Sequence, residues 1–131
     1  MSKLAIDGGF PVRTNMLPYA RQCIDDDDRR AVEAVLKSDW LTTGPKVKEF
    51  EAATAAYTGA VEGVAVNTGT AALHAAVWAA KIGPGDEVIV PAISFVASSN
   101  CVLYVGGTPV FADLSPDTLN IDPEDVARKI T

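Results

Sequence analysis

From Val64 onward the chain alternates short apolar runs with segments of helical length, and this alternation narrows the possible folds more than any other feature. Val64-Ala65-Val66, Glu87–Val90 and Pro109–Ala112 read as three strands. Turn residues punctuate them: Asn67-Thr68-Gly69 after the first, Pro91 after the second, Gly106-Gly107 before the third. Between the strands, Thr70 to about Lys81 is an Ala-rich helix stopped by Gly83-Pro84-Gly85, and Phe95 to about Tyr104 reads as another. This βαβαβ order predicts an α/β fold with a parallel sheet, right-handed crossovers and helices on the sheet faces.

Upstream of this region the first ~20 residues read as an arm, broken by Gly8-Gly9, Pro11 and Pro18. The Asp25–Asp28 run is where a helix begins, its carboxylates facing the positive end of the helix dipole. Val32, Val35 and Leu36 then share a face, and Glu33 and Lys37 form a favourable i,i+4 pair. Asp39-Trp40-Leu41-Thr42-Thr43-Gly44-Pro45 breaks this helix. A second runs from about Lys46 to Tyr57, with Val47, Phe50, Thr54 and Tyr57 on one stripe and Gly59 as its stop. At the other end Asp122 reads as an N-cap, Pro123 as the first helical residue, and Val126 and Ile130 as an apolar pair. With no C-cap before Thr131, the expectation is a single continuous domain whose last helix is unfinished, an odd place for a domain to finish.

Composition excludes several function classes. The chain has 131 residues, 11 Lys+Arg against 17 Asp+Glu and a net charge of −6, so it lacks the clustered cations that neutralise nucleic-acid phosphates. No apolar run approaches the ~20 residues needed to span a bilayer, and MSKLAIDGGF has no long apolar stretch of the signal-peptide type. Cys23, Cys101 and the single His74 are too few and too scattered for a Cys/His zinc site or a disulfide framework. A reduced, cytoplasmic protein is expected.

Two stretches carry chemistry. Asn67-Thr68-Gly69-Thr70-Ala71-Ala72-Leu73 turns a strand end directly into a helix, where free N–H groups and the dipole favour an anion. Gly69 permits close approach and Thr70 adds a hydroxyl; an ordinary capped helix would carry the same residues. The spacing is neither GxGxxG nor GxxxxGK, so a dinucleotide or P-loop reading loses its best support, and a small phosphorylated cofactor stays open. Pro91-Ala92-Ile93-Ser94-Phe95 follows the neighbouring strand, and the carboxyl ends of strands are where open α/β sheets bind ligands. Phe95 could lie on a planar ring, although by periodicity alone it reads as core. The Asp25–Asp28 run lacks the ligand spacing of a calcium loop and reads as a solvated helix start. His74 and Asp113 have no neighbour in sequence that would make them catalytic.

Leu41–Glu51 (LTTGPKVKEFE), Ala65–Ala76 (AVNTGTAALHAA), Gly85–Asn100 (GDEVIVPAISFVASSN) and Gly106–Asp122 (GGTPVFADLSPDTLNID) occur in an order that resembles the DegT/DnrJ/EryC1/StrS aminotransferases, from Pro18–Gln22 onward. The resemblance implies a three-layer α/β/α, fold type I transferase domain with a mainly parallel sheet. This chain would supply the N-terminal arm and the first part of that large domain across residues 1–131, with no second domain. It implies pyridoxal 5'-phosphate as cofactor, with Gly69, Thr70 and Ala71 at its phosphate and Phe95 stacked on its ring. Tyr19, Asp39, Trp40, Leu41, Thr42 and Gly69 would line a sugar-nucleotide pocket. The implied reaction transfers an amino group, usually from glutamate, to a nucleotide-linked 4-keto-6-deoxy sugar in polysaccharide biosynthesis, within a homodimer. PAISFVASSN and TPVFA look closest to the pseudaminic-acid branch. The Schiff-base lysine of the family lies beyond the matched region, and Lys3, Lys37, Lys46, Lys48, Lys81 and Lys129 match it in neither position nor context. The chain alone is therefore expected to be inactive. A lysine-lacking regulatory or dehydratase-type member, or a non-catalytic fragment, is the alternative.

Overall fold

The computed structural model describes residues 3–131, which divide into two compact units, 3–45 and 46–131.

In the first unit a single 3-10 turn, Ala5–Asp7, closes on Gly8, and α1 (Asp26–Leu36) follows. The acidic run starts α1 through a capping box: Asp25 Oδ1 accepts the N–H groups of Asp27 (2.8 Å) and Asp28 (3.1 Å), and Asp28 Oδ2 accepts that of Asp25 (3.0 Å). Lys37 Nζ reaches Glu33 Oε1 at 2.6 Å, the expected pair, on a surface where such pairs contribute little.

The second unit holds α2 (Pro45–Thr58) from its second residue, α3 (Gly69–Ala79), β1 (Glu87–Pro91), α4 (Ala97–Tyr104), β2 (Thr108–Ala112) and α5 (Pro123–Arg128). β1 and β2 pair in parallel with Val90 opposite Phe111, and the ladder continues at both ends through Thr108 N–H to Asp86 O (2.9 Å) and Ala92 N–H to Ala112 O (2.8 Å). Such a pair needs a crossover, and α4 supplies it. The core sits where α4 meets the sheet: Val102 and Ala112 are wholly buried, with Ala97, Cys101 and Val90 nearly so. α3 packs against α4, and the His74 ring lies 5.3 Å from that of Tyr104 at a tilt of 59°. His74 is thus a packing contact.

Several expectations are corrected. Val64–Val66 joins no ladder; a strand exists only beside a partner, and Val64 is 82 % exposed. Glu51 of α2 holds the segment instead, its Oε1 accepting Ala65 N–H at 2.9 Å. The sheet therefore has two strands among the described residues, where three were expected. On α2 the Val47/Phe50/Thr54/Tyr57 stripe faces outward, and the buried residue is Ala55. α3 stops before Gly83: Lys81 takes φ 61°, and Lys81 N–H and Ile82 N–H donate to Trp78 O and Val77 O, closing a Schellman motif without glycine. α4 starts at Ala97, leaving Phe95 in the preceding loop. It ends as expected, Gly106 and Gly107 donating to Leu103 O and Val102 O.

α5 is likewise complete. Asp122 caps it, Pro123 opens it and Lys129 closes it, so Ile130 lies outside the helix and makes no helical pair with Val126. Buried Asp125 fastens α5 to the end of β2: its Oδ2 accepts Asp113 N–H at 2.7 Å, and Arg128 and Lys129 flank it at 3.1 and 3.6 Å. Asp113 acts here through its backbone, which also receives Asp122 N–H at 2.8 Å. The Asp113 N–H holds the Asp125 carboxyl below its ordinary value of 3.8, with Arg128 and Lys129 adding to the effect and burial opposing it. A folded-state value below the unfolded one stabilises above the ordinary range, and that contribution is lost as pH falls through the folded value. In an acid titration, Asp113 amide protection should therefore persist at neutral and mildly acidic pH and fall only in strong acid. Asp125→Asn should remove that acid step.

Candidate functional site

At the start of α3, Thr68 is the N-cap in extended conformation, and its Oγ1 accepts Ala71 N–H at 3.0 Å. Its carbonyl takes Ala72 N–H at 3.1 Å. Sequence reasoning passed over Thr68, although a threonine immediately before a helix carries that signal. In this structure the cap takes up the Ala71 amide. Gly69 and Thr70 remain, and among the described residues neither N–H has a partner. A Cβ built on Gly69 would meet nothing within 4 Å, and its φ is not left-handed, so the fold itself does not require glycine there. The open space beside two undonated amides at a positive helix end is what an anion needs.

Phe95 lies in the loop between the carboxyl end of β1 and α4, and it is 75 % exposed, so the core reading fails. The loop is set by its polar groups: Phe95 O accepts Ser98 N–H at 2.9 Å, and the hydroxyls of Ser94 and Ser98 lie 2.7 Å apart. Gly69, Thr70, Ala71 and Phe95 thus all belong to the second unit, on α3 and on the loop entering the helix against which α3 packs. Tyr19 and Asp39–Thr42 belong to the first unit, all exposed. A hollow of about 580 Å³ there runs along Pro11–Leu17 and includes none of them. Among the described residues, no three or more His, Cys, Asp or Glu side chains are grouped to hold a metal, and no helix is long and apolar enough to cross a membrane.

Together these features define an α/β unit with two undonated amides at a helix start and an exposed aromatic beyond a parallel strand. The chain belongs to the DegT/DnrJ/EryC1/StrS aminotransferase family, whose model matches residues 22–131. It is 45% identical over 119 residues to the spore coat polysaccharide biosynthesis protein SpsC of Bacillus subtilis (strain 168), covering 91% of this chain and 31% of that protein. The PMP form of the putative sugar aminotransferase Spr1654 from Streptococcus pneumoniae superposes with a TM-score of 0.80 at 39% identity, over 88% of this chain and 29% of that one. The E. coli GDP-4-keto-6-deoxy-D-mannose-3-dehydratase with bound hydrated PLP gives 0.79 at 32%, over 87% and 31%. The chain therefore spans about a third of the length of these relatives. The likeness confirms the α/β fold of the family's pyridoxal-phosphate enzymes over the region present.

Proposed function

We propose that residues 1–131 are the arm and first part of the large, fold type I domain of a pyridoxal-phosphate-dependent sugar aminotransferase acting in polysaccharide biosynthesis. The observation that carries this reading is the pair of undonated amides at Gly69 and Thr70, with open space at Gly69. These amides and the Thr70 hydroxyl would hold the cofactor phosphate, and exposed Phe95 would cover one face of its ring. When bound, pyridoxal phosphate supplies the electron sink through which an amino group is moved. The names of SpsC and Spr1654 support the sugar class. The finer reading is a nucleotide-linked 4-keto-6-deoxy sugar of the pseudaminic-acid type, glutamate as donor, Tyr19 and Asp39–Thr42 on the sugar nucleotide, a homodimer and a cytoplasmic location. Complete protein mixed with pyridoxal phosphate should develop a cofactor absorbance band that glutamate bleaches. No band would overturn this reading. The 131 residues alone, whose lysines stand in none of the family's catalytic contexts, should not transaminate.

The likeness to the E. coli dehydratase favours a second reading, a member that removes water from the keto-sugar. A histidine where the family carries its Schiff-base lysine, with dehydrated product and no amino-sugar, would establish it.

Gly69→Ala separates binding from folding. Because Gly69 has an ordinary φ and an open Cβ position, alanine should stabilise the cofactor-free protein by about 0.4–1 kcal/mol. Its methyl would stand in the space through which the phosphate approaches, so affinity for pyridoxal phosphate should fall. A thermal melt and a cofactor titration on one preparation check both signs.

A further inference from the structure

We propose that Gly44 and Thr43 are positioning residues for Trp40 and, through it, for sugar-nucleotide recognition. This rests on the reading that Asp39–Thr42 form part of that pocket. Trp40 is 61 % exposed, so burial does not fix its place. Its neighbours in the turn do. Trp40 N–H donates to Ser38 Oγ at 3.2 Å, and that hydroxyl donates to Val35 O at 2.8 Å, tying the residue to the last turn of α1. From the other side the chain folds back so tightly that a Cβ on Gly44 would stand 2.8 Å from Trp40 Cβ, 3.3 Å from its carbonyl oxygen and 3.7 Å from Cγ.

The residue between them carries the strain. Thr43 has φ 49°, a region that β-branched side chains rarely occupy. A turn serving only to reverse the chain would place glycine or asparagine at the left-handed position. Here threonine takes that position, and the glycine falls one residue later, against Trp40. Strain of this kind persists only where the surroundings over-determine it, and it concentrates where a side chain must be presented in one orientation. The arrangement holds an exposed indole still by its backbone, leaving the ring free to meet a ligand.

The test uses the complete, cofactor-loaded protein and whichever of a UDP-, dTDP- or GDP-sugar binds the wild type most tightly, measured by calorimetry. Trp40→Gly should weaken that binding. Gly44→Ala, which must displace Trp40, should weaken it about ten-fold. In the double variant, Gly44→Ala should add nothing to Trp40→Gly, because the two act through one side chain. Thr43→Gly should also weaken binding while leaving the unfolding midpoint unchanged or raised, which a merely structural role would not do. Loss with Trp40→Gly but not with Gly44→Ala, or additive losses in the double variant, overturns the proposal and leaves the pocket reading standing. No loss with Trp40→Gly, or no nucleotide sugar bound by the wild type, overturns both. If Gly44→Ala does not fold, Thr43→Gly decides: unchanged affinity overturns the proposal.

Discussion

Thr70→Val should lower the affinity of the complete protein for pyridoxal phosphate by about ten- to a hundred-fold, because a charge-assisted hydrogen bond contributes roughly 1.5–3 kcal/mol. Stability of the cofactor-free protein should stay within about 0.5 kcal/mol of the wild type. Both expectations follow from which threonine caps α3. Thr68 Oγ1 takes the Ala71 amide, whereas the half-buried Thr70 hydroxyl has no partner among the described residues. Valine keeps the β-branch and removes only the hydroxyl. Thr68→Ala should behave in the opposite way, costing about 1 kcal/mol of stability through the lost cap. A denaturant melt and a cofactor titration on the two variants therefore assign capping and binding separately. Equal losses of stability would return Thr70 to a purely structural role.

Much of the fold could be read from residue types, and the reasons are local. Apolar strand residues, chain reversals at glycine and proline, and an acidic helix start act over a few residues, so β1, β2, α1 and the Asp122 cap lie close to where the pattern places them. The failures are non-local. Val64–Val66 has strand-forming residues, but a strand requires a neighbour, and Glu51 satisfies the Ala65 amide first. Phe95 has the composition of a core position, yet two serine hydroxyls and one backbone bond turn its loop so that the ring faces out. Lys81 ends α3 in a left-handed conformation that pattern would assign to glycine. At the site, the helix start is legible as an anion cradle, but sequence does not show that the Thr68 hydroxyl takes the Ala71 amide and leaves those of Gly69 and Thr70. The strain at Thr43 has no signature in sequence, since threonine is the residue least expected there.

Val102→Asp and Phe95→Ala should both abolish or weaken cofactor binding, for opposite physical reasons. Val102 is wholly buried where α4 crosses the sheet; its carbonyl receives Gly107 N–H at 3.0 Å, and its Cγ1 lies 3.0 Å from where a Cβ on Gly107 would stand. The site is closed to water, so a carboxylate there should cost about 3–5 kcal/mol. That is a large share of the roughly 5–15 kcal/mol by which folded domains are stable, and binding should vanish because α4 and the loop it anchors are lost. Phe95 projects into solvent from that same loop, so its removal should leave the melt within about 0.5 kcal/mol of wild type. Affinity should nevertheless fall roughly ten-fold, as the stacking surface disappears. The two variants would look alike in an activity assay, and a urea melt separates them. If Phe95→Ala unfolds the protein as Val102→Asp does, the exposed ring is a packing element of the complete protein, and its assignment to the cofactor fails.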